Sequence, residues 1–352
     1  MSYKYKTMVY IGRFQPVHRA HLETIHKAIN LGEKLIIAVG SHKRPKTIKN
    51  PWTAEERIEL MKKSISTYLN MEMKTLEERI SFIKVRDHVY NNNTWATELY
   101  SKAIAAGATQ NTDTCLIGCM KDDSSFYLKM FPQWDLHSVP VVKSENNILS
   151  ATSIRDEMFE EKYLNPKDAN VPGPVCETIT EWISSPEGTE LRKEYQFLQN
   201  YKKLWQSAPF PPVFVTTDTI VIKSNHILMI KRKCNPGKGL YALPGGFVDQ
   251  NETIRQSALR ELKEETRIKV DKIILDRNIK DIEVFDHPGR SDRGRTITHA
   301  FVIDLGEGPL PEVKGGDDAA GAQWVSFLDL NEIEDQTYED HFHIINKMVS
   351  KY

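Results

Sequence analysis

Residues 246–268 constrain this chain more tightly than any other segment. Gly246 opens a turn, Glu252 follows after five residues, and Arg260-Glu261-Leu262-Lys263-Glu264-Glu265 arrives seven residues later. On a helix Glu261 and Glu265 fall one turn apart on the same face, with Glu264 beside them. Carboxylates crowded in this way repel each other unless a cation sits among them. An all-oxygen donor set suits a hard divalent ion, Mg²⁺ or Mn²⁺. A merely solvated acidic face would require neither the glycine turn nor the arginine at this spacing, so the pattern predicts a turn and helix built around a metal.

A chain of 352 residues is too long for one ordinary core, and two domains are the natural expectation. The N-terminal half alternates apolar strands with amphipathic helices. Thr7–Ile11, Lys34–Gly40, Ile80–Val85 and Thr114–Gly118 read as strands. Helical patterns run from about His18 to Asn30, Thr53 to Tyr68 and Trp95 to Ala106. This order predicts a doubly wound parallel α/β sheet, with ligands beyond the carboxyl ends of its strands. Asn165-Pro166 and Val171-Pro172-Gly173-Pro174 punctuate the chain, Thr189–Gln206 is a charged, aromatic helical stretch, and Pro209–Pro212 ends it. Strands are then expected at Val213–Val215, Thr219–Ile222, Ile227–Ile230, Lys272–Leu275 and Thr296–Ile303, around a helix at Thr253–Thr266. The expected division is residues 1–186, a connecting helix at 187–207, and an α/β/α sandwich at 208–352.

Bulk composition narrows the partners. A net charge of −1 gives no global field to hold a nucleic-acid backbone. No stretch approaches the ~20 apolar residues of a membrane span, and the start lacks an apolar signal core. Cys115, Cys119, Cys176 and Cys234 are too scattered for a disulfide framework and read as free thiols. A cytoplasmic protein is expected. Homo-oligomerisation stays open.

A second cluster of chemistry lies at the other end of the chain. Gly12-Arg13-Phe14-Gln15-Pro16-Val17-His18-Arg19-Ala20-His21 joins the first strand to the first helix. A helix N-terminus offers free amides and positive partial charge to a phosphate. His18 and His21 share a helix face, and Arg13 can add a bidentate contact. Taken alone, the pair reads equally well as two surface histidines. Ser150-Ala151-Thr152-Ser153-Ile154-Arg155 repeats the theme with hydroxyls, amides and a guanidinium at a later helix start, where an ordinary N-cap is the plain alternative.

Together these motifs resemble the nucleotidylyltransferase signatures of archaeal-type nicotinamide mononucleotide adenylyltransferases, over roughly residues 5 to 160. Ala20 stands where that family usually has glycine. The resemblance implies a Rossmann-like domain that binds ATP and nicotinamide mononucleotide through Gly12, Arg13, Phe14, Lys49, Trp95, Ser150, Thr152 and Arg155, with His18, His21 and Arg155 acting on the phosphates. Lys49 belongs to a run with Lys43, Arg44 and Lys46 that is otherwise a solvated loop. Trp95 corresponds to a ring that stacks on nicotinamide, and a core tryptophan fits its position nearly as well.

The 246–268 segment resembles the Nudix box, Gly-x5-Glu-x7-Arg-Glu-U-x-Glu-Glu-x-Gly-U, departing only at Arg267 in place of the last glycine. That resemblance implies Glu261, Glu264 and Glu265 as metal ligands and catalytic residues, with Gly246, Glu252 and Arg260 in support. The segments 238–246 and 286–301 look like Nudix enzymes that hydrolyse ADP-ribose. Arg290, Arg293 and Arg295 either meet phosphates or form a solvated loop. Asp317 and Asp318 are candidates for a further ligand or general base, and a plain turn explains them too. The order of modules resembles the bifunctional nicotinamide mononucleotide adenylyltransferase/Nudix hydrolase family. Two alternatives stand beside it: adenylylation of another phosphorylated precursor, and a Nudix module that senses nucleotides without cleaving them.

Overall fold

The structure is a computed structural model that describes residues 3–120, 123–144, 147–160 and 170–351. It divides into two compact units, 1–192 and 193–352. Asn165 and Pro166 lie outside the described residues. No helix among the described residues is long and apolar enough to cross a membrane.

The first unit is a five-stranded sheet in the order β3-β2-β1-β4-β5, parallel throughout. Its strands are β1 (Tyr5–Gly12), β2 (Gly32–His42), β3 (Ile80–Arg86), β4 (Thr114–Gly118) and β5 (Asp135–Ser138). Helices α1 (Arg19–Leu31), α2 (Ala54–Leu69), α3 (Met73–Arg79) and α4 (Asn92–Ala105) make the crossovers. Central parallel strands are covered on both faces, so they read as unbroken apolar runs rather than alternating ones. Met8, Val9, Leu35, Ile36, Ile37, Cys115, Leu116 and Ile117 are accordingly buried. Helix α2 begins at a reciprocal cap, in which Thr53 Oγ1 accepts from the Glu56 amide (3.2 Å) and Glu56 accepts from the Thr53 amide (2.7 Å). The short strands β6 (Lys143–Ser144) and β7 (Asn147–Ile148) precede α5 (Ala151–Phe159), α6 (Gly173–Ile183) and α7 (Pro186–Leu204). Val171–Pro174, read as punctuation, opens α6: Pro172 is its N-cap, and a proline in the first turn leaves no hydrogen bond unmade.

In the second unit β8 (Val213–Lys223) is one continuous strand rather than two. It runs parallel to β13 (Arg295–Asp304) and antiparallel to β9 (His226–Arg232) and β11 (Gly245–Phe247). Strands β10 (Tyr241–Ala242) and β14 (Ala319–Ser326) flank β9, and β12 (Ile279–Phe285) flanks β13. Helix α8 (Ile254–Thr266) packs Leu259 and Leu262 onto Val221, Leu228 and Ile303 of the sheet. Residues 272–275, expected as a strand, instead belong to the short helix α9 (Lys272–Arg277). Asp271 caps it by accepting from the Ile273 amide (2.7 Å), and only Leu275 of its apolar trio is buried, so a helical register wins over alternation. The chain ends with α10 (His341–Val349). The division between the units falls inside α7, so residues 193–204 count with the second unit.

Candidate active sites

In the first unit a cavity of about 270 Å³ opens at the carboxyl ends of β1 and β4, where the strand order reverses and doubly wound sheets bind ligands. Gly12, Arg13, His18 and His21 line it, with Tyr127 and Cys119 contributed from later in the chain. A Cβ on Gly12 would lie 2.8 Å from the Phe14 ring, so glycine there lets the loop fold back on itself. Phe14 takes a left-handed backbone (φ 53°), is buried, and sets its ring edge-on to Tyr10 and His21. Its side chain thus packs beneath the cavity. His18 is the N-cap of α1, and its ring stacks on that of His21 at 3.7 Å. The His18 amide donates to His21 Nδ1 (3.2 Å). A neutral imidazole accepting at Nδ1 carries its proton on Nε2, which leaves His21 a donor.

The two distant motifs converge on this loop. Ser150 caps α5 by accepting from the Ser153 amide (3.2 Å), and Arg155 is buried, donating to the Gln15 carbonyl (2.5 Å) and to Thr152 Oγ1 (3.3 Å). Thr152 itself is exposed. Gln15 in turn clasps the Trp52 backbone, donating to its carbonyl (2.7 Å) and accepting from its amide (3.3 Å). Lys49 lies half-buried on the loop between β2 and α2. In the same run, Lys46 is paired with Glu56 (2.8 Å) and Glu187 (2.9 Å) and Arg44 with Asp87 (3.7 Å). Trp95 packs against Tyr127 and Phe131 and is not among the residues lining the cavity.

Sequence reasoning missed Arg57. It is 1% exposed, and its guanidinium donates to four backbone carbonyls: Arg13, Gly40 (2.8 Å), Ser41 (3.2 Å) and Thr53 (3.1 Å). Burial lowers its pKa to about 10. One guanidinium therefore ties together the ends of β1 and β2. The signal was present, since Arg57 falls on the same helical stripe as Leu60, Met61 and Ser64, all buried.

In the second unit a cavity of about 360 Å³ contains Glu261, Glu265, Asp218, Asp249, Asp317 and Asp318. Arg260 holds Glu252 through two contacts (2.9 and 2.6 Å), and reaches Glu261 (2.7 Å) and Glu264 (3.0 Å). Next to this guanidinium the Glu252 carboxyl falls to about 2. Glu264 is turned toward Arg260 and does not line the cavity. Glu265 is buried, accepts from the Gly245 amide (2.9 Å), and is pushed up to about 8, first by burial and then by Glu261. Burial likewise raises Glu261, with Glu264 and Asp317 adding to it. A Cβ on Gly246 would lie 2.5 Å from Glu261 Oε1, so only glycine allows that carboxylate so close to the strand. Arg267 is left-handed (φ 46°), the conformation that a box-ending glycine serves.

Arg290 is buried and forms a two-pronged pair with Asp340 (3.0 Å each), 3.5 Å from Asp218. Arg293 lies over the Phe247 ring (4.8 Å), and Arg295 is tied to Asp286. Asp218 and His341, which sequence reasoning also missed, complete the cavity floor: Asp218 accepts from Thr298 (2.6 Å), and His341 Nδ1 accepts from the Leu243 amide (2.9 Å). Glu339, Asp340 and His341 bring three ligand-type atoms within 4.8 Å. With Asp340 bound to Arg290 and His341 to Leu243, that trio serves the floor. A cation fits better beside Glu261 and Glu265, two neighbouring carboxylates of the cavity lining, of which only Glu261 is paired with a guanidinium, that of Arg260.

Comparisons with known proteins agree with this geometry. A NUDIX domain model matches residues 213–348, and a cytidylyltransferase-like model matches 9–157. The crystal structure of a bifunctional NMN adenylyltransferase/ADP ribose pyrophosphatase from Francisella tularensis, complexed with AMP and a Mn ion, is 34% identical and covers 99% of both chains with a TM-score of 0.87. The chain belongs to the bifunctional NMN adenylyltransferase/ADP ribose pyrophosphatase family. Single-module relatives match each half of this family member. A nicotinamide/nicotinic acid mononucleotide adenylyltransferase of Acinetobacter baylyi is 34% identical over 58% of this chain and 94% of its own. An ADP-ribose pyrophosphatase of Methanocaldococcus jannaschii is 42% identical over 37% of this chain and 70% of its own.

Proposed function

We propose that the first unit transfers the adenylyl group of ATP to nicotinamide mononucleotide, forming NAD and releasing pyrophosphate. The second unit hydrolyses ADP-ribose to AMP and ribose 5-phosphate. The observation that carries this reading is the meeting of each unit's sequence motifs around its own cavity.

In the first unit no protein nucleophile is required, because the mononucleotide's phosphate oxygen attacks the α-phosphorus of ATP in line with the departing pyrophosphate. The protein's part is alignment and charge neutralisation. His21 donates from Nε2 and Arg13 supplies positive charge, whereas the α1 amides of Arg19, His21 and Leu22 are already bonded to the Asn170 and His18 carbonyls, so the phosphates are met by side chains rather than by those amides. Arg155 acts on the phosphate loop through Gln15. Gly12 and Phe14 shape that loop, Ser150 and Thr152 stand at the start of α5, Lys49 lies on the loop between β2 and α2, and Trp95 backs Tyr127 of the cavity lining.

In the second unit Glu261 and Glu265 would hold Mg²⁺ or Mn²⁺, with Glu264 beside them and acids such as Asp317 or Asp318 completing the set. A divalent ion bound there supplies Lewis acidity for attack of water on the diphosphate. Arg260 and Glu252 fix the helix face that presents these carboxylates, and Gly246 leaves room for them.

The test is a pair of variants in the full chain. Glu265→Gln removes ADP-ribose hydrolysis and leaves NAD formation intact, whereas His21→Ala does the reverse. Parallel loss of both activities in either variant contradicts separate sites, and no NAD formation by the unaltered chain rejects the first assignment.

A further inference from the structure

The hairpin between β9 and β10 begins at an arginine that the sequence motifs do not include. Arg232, the last residue of β9, lines the second cavity with Glu261 and Glu265, and its charge favours the ionised form of Glu265. Its Nε donates to the Pro236 carbonyl (2.8 Å), and its guanidinium lies over the Tyr338 ring (4.1 Å). Its two terminal nitrogens make no hydrogen bond to a protein acceptor among the described residues. A guanidinium held at Nε, with its other nitrogens uncommitted, is a two-pronged donor suited to an oxyanion.

A loop fixes this guanidinium, and a buried acid fixes the loop. The chain turns back over residues 233–239, with the Gly239 amide donating to the Arg232 carbonyl (2.8 Å) and the Arg232 amide to the Leu240 carbonyl (2.9 Å). Within the turn Gly237 is buried and left-handed (φ 74°), and a Cβ there would lie 2.2 Å from the Tyr338 ring. The Gly237 amide donates to Glu194 Oε2 (2.8 Å). Glu194 stands on α7, upstream of the matched NUDIX segment that begins at residue 213, and is only 7% exposed. Burial pushes its carboxyl up, against the bond from Gly237 and the charge of Arg232. Burying an acid costs free energy unless it is paired or bonded. The bond it makes here goes to the residue next to Pro236, whose carbonyl takes Arg232 Nε.

We propose that Glu194 is a positioning residue for hydrolysis: through the Gly237 loop it sets the place from which Arg232 donates to the diphosphate of the substrate. This rests on the assignment of the cavity to a nucleoside diphosphate sugar. The diphosphate is charged before any bond breaks, so Arg232 holds it already in the bound complex. A hydrogen bond to a charged group changes affinity by about 10- to 150-fold. Displacing the loop therefore raises KM, whereas a smaller folded fraction lowers kcat alone. KM thus responds to positioning and not to a loss of folded protein.

The experiment uses the full chain with Glu194→Ala, Glu194→Asp, Glu194→Gln, Arg232→Gln and the double variant Glu194→Ala with Arg232→Gln. Hydrolysis of ADP-ribose is measured with Mg²⁺, and its affinity by calorimetry in metal-free buffer. Glu194→Ala removes the acceptor and Glu194→Asp withdraws it by one methylene. Both are expected to raise KM and Kd at least ~5-fold. Glu194→Gln keeps an oxygen for the Gly237 amide and should stay within about twofold of the unaltered chain. Arg232→Gln is expected to raise KM and Kd at least ~10-fold, and adding Glu194→Ala to it should change them by less than about twofold more. The proposal is overturned by unchanged KM and Kd in Glu194→Ala and Glu194→Asp, by Glu194→Gln behaving like Glu194→Ala, or by separate effects that multiply in the double variant. Should Glu194→Ala not fold, the Asp and Gln variants decide by themselves. An unaltered chain that binds ADP-ribose without cleaving it rejects the proposed activity while the affinities still decide the role of Glu194, and one that does not bind it overturns both.

Discussion

Glu265 turns the second cavity into a pH-dependent source of instability that a metal ion should remove. Its carboxyl sits at about 8 instead of its ordinary 4.5, because burial and the neighbouring Glu261 both disfavour the charge. The unfolded chain releases this proton near 4.5 and the folded chain near 8. Between those values the folded state binds more protons, so stability falls as pH rises. The shift of 3.5 units, at 1.36 kcal/mol each, sets a ceiling of about 5 kcal/mol across that window. Glu265→Gln carries no such proton, and its stability should be flatter from pH 5 to 8. Mn²⁺ favours the ionised carboxylate, so its stabilising effect on the unaltered chain should grow with pH and release protons on binding. Calorimetric melts of both proteins at pH 5, 6, 7 and 8, with and without Mn²⁺, check this. A difference between the two proteins that does not change with pH in metal-free buffer would refute the reasoning, as would equal Mn²⁺ stabilisation in both.

Replacing Arg57 by Met removes the guanidinium donor from the carbonyls of Arg13, Gly40 and Ser41, while the Thr53 carbonyl keeps the amide of residue 57. At about 1–3 kcal/mol for each buried group that stays unmet, the first unit should lose at least ~3 kcal/mol in denaturant melts. NAD formation should fall at least tenfold while ADP-ribose hydrolysis in the same sample is unchanged. Arg267→Gly relieves a left-handed non-glycine residue. Strain relief of about 1–2 kcal/mol, less ~0.5–1 of added chain entropy, predicts a net gain of roughly 0.5–1 kcal/mol, read as a higher denaturant midpoint for the second unit. Gly246→Ala places a methyl 2.5 Å from Glu261 Oε1. Displacing that carboxylate by about 1 Å should cost hydrolysis roughly 100-fold and leave NAD formation unaltered.

Features that depend on close neighbours in the chain were legible from the residues alone. The cap at Thr53, the helix at 254–266 and the shared face of Glu261 and Glu265 depend on residues three to eight apart, and local spacing specifies them. Misreadings arose where local signals compete. Lys272–Leu275 carries an apolar run too short to have a period, and the Asp271 cap decides it. Val171–Pro174 holds residues that break helices in the middle but start them at the first turn. The cavity floor was not legible at all: Asp218, Thr298, Arg290 and Asp340 meet across separations of 50 to 80 residues. The helix at the junction of the two units also carries Phe197 and Tyr201 to the lining of the second cavity.

The parallel partnership of β8 with β13 has a bearing on how this half of the molecule is born. Strand β8 emerges from the ribosome long before β13, and Asp218 waits 80 residues for Thr298. Closing so long a loop costs entropy before any ladder bond repays it, which slows the search. The helix bearing the glutamates lies wholly within that interval. During synthesis its acidic face is thus displayed on an unfinished scaffold, and the cavity gains its shape only when translation has passed residue 341.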